Sequence, residues 1–484
     1  MSIFGASNMT MNFDPTHIAS LIPQLVERCP AVEWITDDSR IDRLSHDFYW
    51  FSPVLKRALE PMRAHIGVRP RTEDEIRAVV SACATLGVPI TARGSGTGNY
   101  GQCIPLHGGV LLDLSGYNQL LWHKPGVVRG QAGLRLGDID ARTRPAGWEL
   151  RCVPSTYRSA SLGGLYGGGF GGVGSINFGP LAAHGNVLGV KAISIEPEPR
   201  TVELRAPEAL VLHHAYGTNG LVLELEVGLG TAHEWMESIV LFDDFDAALT
   251  FADTVANAPG IVKKSVTVFA APIGEMLTML AAHLPAAKHA VFVLTAEFSE
   301  QVLAQLITEF DGVVSYRKTA EEVKKSNRTL VEFTWNHTTL HAMKVDKTLT
   351  YIQSGFTPGE HVRQVREMRN MLGDEVITHV EFIRSRDGLM TCAGLQLVRY
   401  TTDARLNEIM QMHRDHGVSI ANPHVYHVED GKQGVISAEV VAAKLRFDPQ
   451  GLLNPGKLRG WEQRERLALD ARSATPTLAT LPRF

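Results

Sequence analysis

Arg93-Gly-Ser-Gly-Thr-Gly-Asn-Tyr-Gly101 and Ser161-Leu-Gly-Gly-Leu-Tyr-Gly-Gly-Gly-Phe-Gly-Gly-Val-Gly174 decide how this chain is read. In the first stretch, Gly94, Gly96, Gly98 and Gly101 let the backbone adopt positive φ and approach a ligand closely. Consecutive exposed N–H groups in such a loop form a nest for an anion, and a diphosphate is the natural guest. The spacing is not GxGxxG and no helix opens directly after it, so a Rossmann dinucleotide loop is excluded by context. Taken alone, the loop is equally a tight surface turn. The second stretch is more specific. Its eight glycines between 163 and 174 each cost about 1 kcal/mol relative to alanine in ordered structure. A large flat ligand lying on bare backbone justifies that cost. A hinge would seldom carry large apolar anchors such as Leu165, Tyr166 and Phe170.

The remaining chain fits a globular enzyme. Its 484 residues exceed one hydrophobic core, so two or three domains are expected. A net charge of -5 without a Lys/Arg block argues against nucleic-acid binding. Five scattered cysteines, never in a CxxC pair, suit free thiols in a reducing compartment and give no zinc site. No secretory signal is visible and the apolar runs are strand-sized, so a cytoplasmic protein is expected.

Patterning along the chain predicts an α+β protein. Residues 1–60 form an N-terminal helical part. In 61–235, Thr72 caps a helix with Glu75 at N3 as a capping box, and apolar spacing carries it from Ile76 through Cys83 to Gly87. A short helix is expected over Ala132–Asp138. Residues 236–437 alternate strands with helices, among them a helix over Ile273–Leu284, as a sheet covered on one face would. Residues 438–484 return to the first domain through helix Ala438–Phe447 and end in a loose Ser/Thr/Pro-rich tail over Arg472–Phe484.

Six ordered motifs give this pattern a family likeness: Val68-Arg-Pro-Arg-Thr-Glu-Asp-Glu-Ile76, Ile90-Thr-Ala-Arg-Gly-Ser-Gly-Thr-Gly98, Pro154 followed by Leu162-Gly-Gly164, Asn186-Val-Leu-Gly-Val190, Tyr216-Gly-Thr-Asn-Gly-Leu-Val222, and Phe447-Asp-Pro-Gln-Gly-Leu-Leu-Asn-Pro-Gly-Lys457. Together they resemble the vanillyl-alcohol oxidase / p-cresol methylhydroxylase superfamily, with its PCMH-type FAD-binding domain. Within it, the branch that holds the glycolate oxidase flavoprotein and D-lactate dehydrogenase looks most similar. The resemblance covers roughly 60–230 and 440–460. It implies two α+β subdomains clamping FAD beneath an α+β cap with an antiparallel sheet. It implies that Arg93, Gly94, Ser95, Gly96, Thr97 and Gly98 cradle the diphosphate, with Asn99 and Gln102 alongside. It further implies that Pro154, Ser155, Ser161, Gly163 and Gly164 line the cofactor, that Gly220, Leu221 and Val222 close over it, and that Asn454 contacts it from the C-terminus.

Two departures from the family pattern matter. Many relatives bond the flavin to a histidine inside the first loop, where this chain has Thr97, so non-covalent FAD is expected. Neither His107, ten residues further on, nor Cys152 offers a convincing substitute. The histidine-rich HxGDGNxH and GEHG stretches of metal-dependent 2-hydroxy-acid members are also absent, so no metal is expected.

The implied activity is hydride transfer from a CH–OH substrate to flavin N5, with a 2-hydroxy acid or a phenolic or other aromatic alcohol as substrate. The remaining alternative is a flavoprotein component of a dehydrogenase built from several subunits. The electron acceptor (oxygen, quinone or carrier protein) and a homo-oligomeric or partnered state stay open. A base for the substrate proton is sought among cap residues. His379 and Glu381 alternate with Val380 and Phe382, so both point to one face. His424 and Tyr426 share a face if 424–427 is a strand, with His427 opposite. His337 and His341 are further candidates, and Arg384 suits a substrate carboxylate or an acidic neighbour.

Overall fold

The computed structural model describes residues 13–464, and the tail expected over Arg472–Phe484 lies outside the described residues. Three sheets carry most of the architecture. The first is four-stranded, in the order Glu33–Ile35, Ile66–Arg69, Val110–Asp113, Ile90–Arg93, with its last three strands parallel. Helix Glu73–Leu86 covers it because Ile76, Val79, Val80 and Cys83 fall on one stripe and are fully buried. Thr72 caps this helix through Glu75 N, and Gly87 ends it at φ 72°. Glu75 does not close the expected capping box: its carboxylate reaches one residue further, to Arg71 N at 2.5 Å.

The second sheet is antiparallel, in the order Leu120–Lys124, Val127–Gln131, Leu221–Thr231, Val187–Ile193, Thr201–Arg205, and Trp148–Leu150 pairs the far end of Leu221–Thr231. Helix Leu136–Thr143 starts later than the sequence suggests. Gly133 sits against the carbonyls of Leu114 and Tyr117, where a turn with no space for a Cβ replaces the first helical residues. The glycine-rich Leu162–Gly168 is a short helix, not bare backbone, with Ser161 accepting from Gly164 N at 3.3 Å. Its glycines mark close approaches: a Cβ on Gly163 would press on Ala132, and one on Gly168 on the Gln102 amide.

The third sheet has eight antiparallel strands, with His289–Ala296, Lys263–Phe269 and His379–Arg384 at its centre. Helix Phe245–Asn257 lies on it, burying Leu249, Phe251 and Val255 completely. The helix expected over Ile273–Leu284 is only Ile273–Met276, followed by a 3-10 turn over Thr278–His283. Leu277, with ψ at 61°, breaks it after one turn.

The C-terminal segment ties these parts together. Residues 452–454 run parallel to Ile90, exchanging Ile90 N to Leu452 O and Asn454 N to Ile90 O at 2.8 and 2.7 Å. Leu452 and Leu453 enter the same core as Ile76 and Val110. Helix Ala438–Phe447 supplies the buried Lys444, whose ammonium contacts Thr218 O, Leu453 O and Asp448. Lys457, also buried, donates to the carbonyls of Gly101, Gln102 and Ile104 at 2.6–2.8 Å. Burial lowers the pKa of Lys457 and raises that of nearby Asp47, with the Lys457 charge acting back on Asp47. Lys457→Met would leave Ile104 O without a donor, take one donor each from Gly101 O and Gln102 O, and remove the buried ammonium beside Asp47. The expected outcome is a loss of about 3–5 kcal/mol of stability, read as a lowered urea midpoint together with a lowered flavin-to-protein ratio.

Candidate active site

The first glycine loop leaves strand Ile90–Arg93 and turns under residues 46–48. Arg93 braces it from inside: its guanidinium donates to His46 O at 2.7 Å and contacts Cys103 Sγ at 3.4 Å. Gly96, at φ 64°, lies so close to that guanidinium that a Cβ would overlap it. Arg93 therefore shapes the loop, and the backbone is what faces outward. Among the described residues, the N–H groups of Ser95, Gly96, Thr97, Gly98 and Asn99 donate no hydrogen bond to the protein. Five consecutive free donors on a glycine loop form a nest that fits a diphosphate.

The second stretch closes against this nest. A Cβ on Gly94 would fall on Ser161 Oγ. Gln102 Nε2 donates to Gly168 O at 2.9 Å, and Asn454 Nδ2 bridges Gln102 O and Tyr216 O at 2.8 and 2.6 Å. Pro154 opens the turn before the stretch, and Ser155 is buried beside it. Gly220, at φ 150°, starts the strand in which Leu221 and Val222 pair with Ile193 and Ala192, at the seam between the two FAD-side sheets.

A cluster of polar side chains lies beyond Asn99. Tyr100 donates to Gln353 Oε1 at 2.6 Å, and its ring lies 6.4 Å from that of Tyr216. Asn336 and Tyr351 flank the Tyr100 hydroxyl, and Asn99 flanks that of Tyr351. Here buried polar atoms go without partners: Asn99 Nδ2, Asn336 Oδ1, Tyr351 OH, Trp335 Nε1, His213 Nε2, His214 Nδ1 and Asn454 Oδ1. Orphans of this kind each cost about 1–3 kcal/mol unless something else pairs with them. Backbone strain gathers in the same place. Of eight non-glycine residues with positive φ among the described residues, four are His214, Tyr216, Trp335 and Asn454, and strain concentrated this way marks functional sites. Burial pushes the Tyr100 phenol up to about 12 and that of Tyr351 well above its ordinary value, so both are hydrogen-bond donors at neutral pH. Burial lowers His213 to about 3 and His214 well below its ordinary value, which keeps both rings neutral.

The cap residues singled out in the sequence occupy different positions. His379 and Glu381 share a face and meet at 3.0 Å, but both are buried in the central sheet with their bonds filled. His379 Nδ1 contacts Leu395 O, and Glu381 accepts from Thr267 Oγ1 at 2.5 Å and Trp335 N at 2.7 Å. Glu381 thereby holds the strained Trp335 backbone in place. Residues 424–427 are not a strand, so the alternation expected there fails. Pro423 has no N–H, and Asn422 Oδ1 accepts from His424 N to form a turn. His424 is buried between Ser52 Oγ and Tyr351 O, at 2.8 Å each, and so carries the Tyr351 backbone. Tyr426 packs against the Tyr49–Leu55–Leu59 cluster. His337 and His341 both address Glu332 O. Arg384 donates to Gly388 O and makes no ion pair with Glu381. Among the described residues no cluster of His, Cys, Asp or Glu could hold a metal. Cys152 is buried against Ser175 Oγ with its thiol pushed up to about 11, and His107 packs at a tilt against Phe13.

Tyr100, Tyr216, Tyr351, Asn336, His214 and Lys457 were not picked out by sequence. Tyr100, Tyr216 and Lys457 lie inside or beside glycine motifs whose glycines dominate the local signal. Tyr351 and Asn336 had no local signal, since their place depends on how the cap folds over the loop.

Residues 64–198 match the family model described as an FAD binding domain. An uncharacterised FAD-linked oxidoreductase of Mycobacterium tuberculosis is 32% identical over 163 residues, 33% of each chain. The glycolate oxidase protein GlcD of Escherichia coli is 28% identical over 309 residues, 61% of this chain and 56% of that protein. The chain thus spans from a third to little more than half the length of these curated relatives. The structure of 4-ethylphenol oxidase from Gulosibacter chungangensis, in complex with isoeugenol, superposes with a TM-score of 0.63 at 14% identity, covering 92% of this chain and 98% of that one. The matched domain and the donor-lined nest agree: this chain carries a PCMH-type FAD-binding domain, similar to that of the FAD-linked oxidoreductases it matches. FAD is its cofactor, and no helix among the described residues is long and apolar enough to cross a membrane.

Gly94→Ala is expected to remove most bound flavin, because its Cβ displaces Ser161. Gly94→Ala combined with Ser161→Gly should recover part of it, as measured by the visible-to-ultraviolet absorbance ratio of purified protein. His424, buried and neutral, has its pKa lowered from 6.5 to about 4. A depressed histidine contributes stability that is complete above pH 6.5 and is lost as pH falls toward 4, at about 1.4 kcal/mol per unit. His424→Gln should flatten the fall of Tm with acid between those limits.

Proposed function

We propose that the protein oxidises a CH–OH group at the tyrosine and asparagine cluster beyond Asn99, with non-covalent FAD as hydride acceptor. The observation that carries this reading is the gathering of unpaired buried donors and acceptors in that cluster. A bound alcohol would satisfy them. Its hydroxyl oxygen would accept from Tyr351, held as a neutral phenol by burial, while the Tyr100 proton stays on Gln353. His214 Nδ1 is the one neutral ring nitrogen in the adjoining loop 213–220 that is both open and beside Tyr216. On this reading it takes the hydroxyl proton as the carbon loses hydride. Bound FAD supplies the two-electron acceptor for that hydride. The cap pair His379–Glu381 acts as a positioning element through the Trp335 backbone, and His424 does the same through Tyr351 O.

Three phenol rings and two amides, without a metal cluster among the described residues, favour an aromatic alcohol as substrate. A 2-hydroxy acid is the second reading, supported by the similarity to GlcD. The electron acceptor of either reaction is oxygen, a quinone or a partner protein. Non-covalent attachment rests on Thr97 in the first loop and on the protonated, buried Cys152.

Mixing the purified yellow protein anaerobically with 4-hydroxybenzyl alcohol, lactate or glycolate should bleach the flavin with the aromatic alcohol first. Bleaching by glycolate or lactate alone would give the second reading precedence, and no bleaching by any of them would discard both. Tyr351→Phe should slow flavin reduction about tenfold, the value of one hydrogen bond of about 1.4 kcal/mol, with flavin content unchanged. Acid precipitation should leave the flavin in the supernatant.

A further inference from the structure

A cavity of about 340 Å³ lies where strand Trp148–Leu150 of the FAD side meets strands Lys263–Phe269 and His379–Arg384 of the cap sheet. None of its lining residues belongs to the tyrosine and asparagine cluster beyond Asn99. Its charge is one-sided. Arg151, Lys263, Lys264 and Arg384 line it, with Glu149 as the only carboxylate among its lining residues. That carboxylate is already engaged: Lys264 Nζ sits 2.9 Å from it, and Arg144 and the Trp235 indole N–H also contact it. Arg151 uses its guanidinium to brace Leu229 O and Gly185 O.

Lys263 and Arg384 are left over. Lys263 is 6% exposed, and its ammonium donates only to Ala258 O, at 2.6 Å. Arg384 donates only to Gly388 O, and neither cation forms an ion pair among the described residues. They repel one another: burial first, and the Arg384 charge second, hold Lys263 down to about 8. A buried cation such as Lys263 without a counter-charge is costly, and the Arg384 charge beside it adds to that cost. An anion between them would relieve both penalties at once. The walls also offer Phe178, Trp235 and Ile261, so an apolar portion has surface to cover. The volume falls at the lower end of ligand pockets, about 300–1,000 Å³.

We propose that this cavity binds a small organic anion, a phosphate ester or a carboxylate, between Lys263 and Arg384, separately from the tyrosine and asparagine cluster.

The test is calorimetric titration of the FAD-loaded protein with inorganic phosphate, phenyl phosphate and malonate, each against potassium chloride at matched ionic strength, with Tm followed in parallel. Saturable binding and a raised Tm are expected for at least one probe. Phenyl phosphate binding tighter than phosphate would identify an ester with an apolar part, and tighter malonate a carboxylate. Arg384→Met, on a half-buried side chain, should weaken binding at least tenfold with wild-type flavin content, and Lys263→Met should do the same. Tyr100→Phe should leave binding unchanged. Wild-type protein that binds none of the probes beyond chloride would overturn the proposal. So would binding that survives both cation substitutions or disappears in Tyr100→Phe.

Discussion

The cofactor cradle depends on one buried cation. Lys457 places its ammonium under the turn that follows the first glycine loop and satisfies the carbonyls of Gly101, Gln102 and Ile104 together. A loop with positive-φ glycines and unpaired N–H groups has little to hold it in shape. Its stiffness is imported from below, through Lys457, through Asn454 on Gln102 and Tyr216, and through Arg93 folded back beneath Gly96. A rigid nest is what lets outward-facing donors wait unpaired for a phosphate without collapsing onto one another.

Close contact also explains the glycine content. Where the sequence offers glycine, the structure brings two pieces of chain closer than a Cβ allows: Gly94 on Ser161, Gly98 and Gly168 on either side of the Gln102 amide, Gly133 on Leu114 O. Most of these glycines are needed for proximity and only some for φ. The helix Leu162–Gly168 is the clearest case, since helical φ requires no glycine at all and its glycines are used to touch Ala132 and Gln102.

Much of the FAD side was legible in sequence because its signals are local. Capping at Thr72, the apolar stripe of Ile76 to Cys83 and the ordered motifs each lie within a few residues. The substrate side was not legible, for a physical reason. His379, Glu381 and His424 have the chemistry of a catalytic base, yet the folded chain commits both nitrogens of each ring and both oxygens of the carboxylate to other groups, most of them far away in sequence: Leu395, Thr267, Trp335, Ser52, Tyr351. Whether a polar group is engaged or free is a tertiary property. Tyr351 and Asn336 are free for the converse reason, and no periodicity announces it.

Asn454 and Lys457 lie more than 350 residues after the loop they secure. Everything between, including the whole cap sheet, is synthesised before they are. A nascent chain still lacking them carries both glycine stretches and Arg93 but neither C-terminal strut, so flavin capture belongs to the end of synthesis. Truncation near the C-terminus would accordingly cost the cofactor before it cost the core.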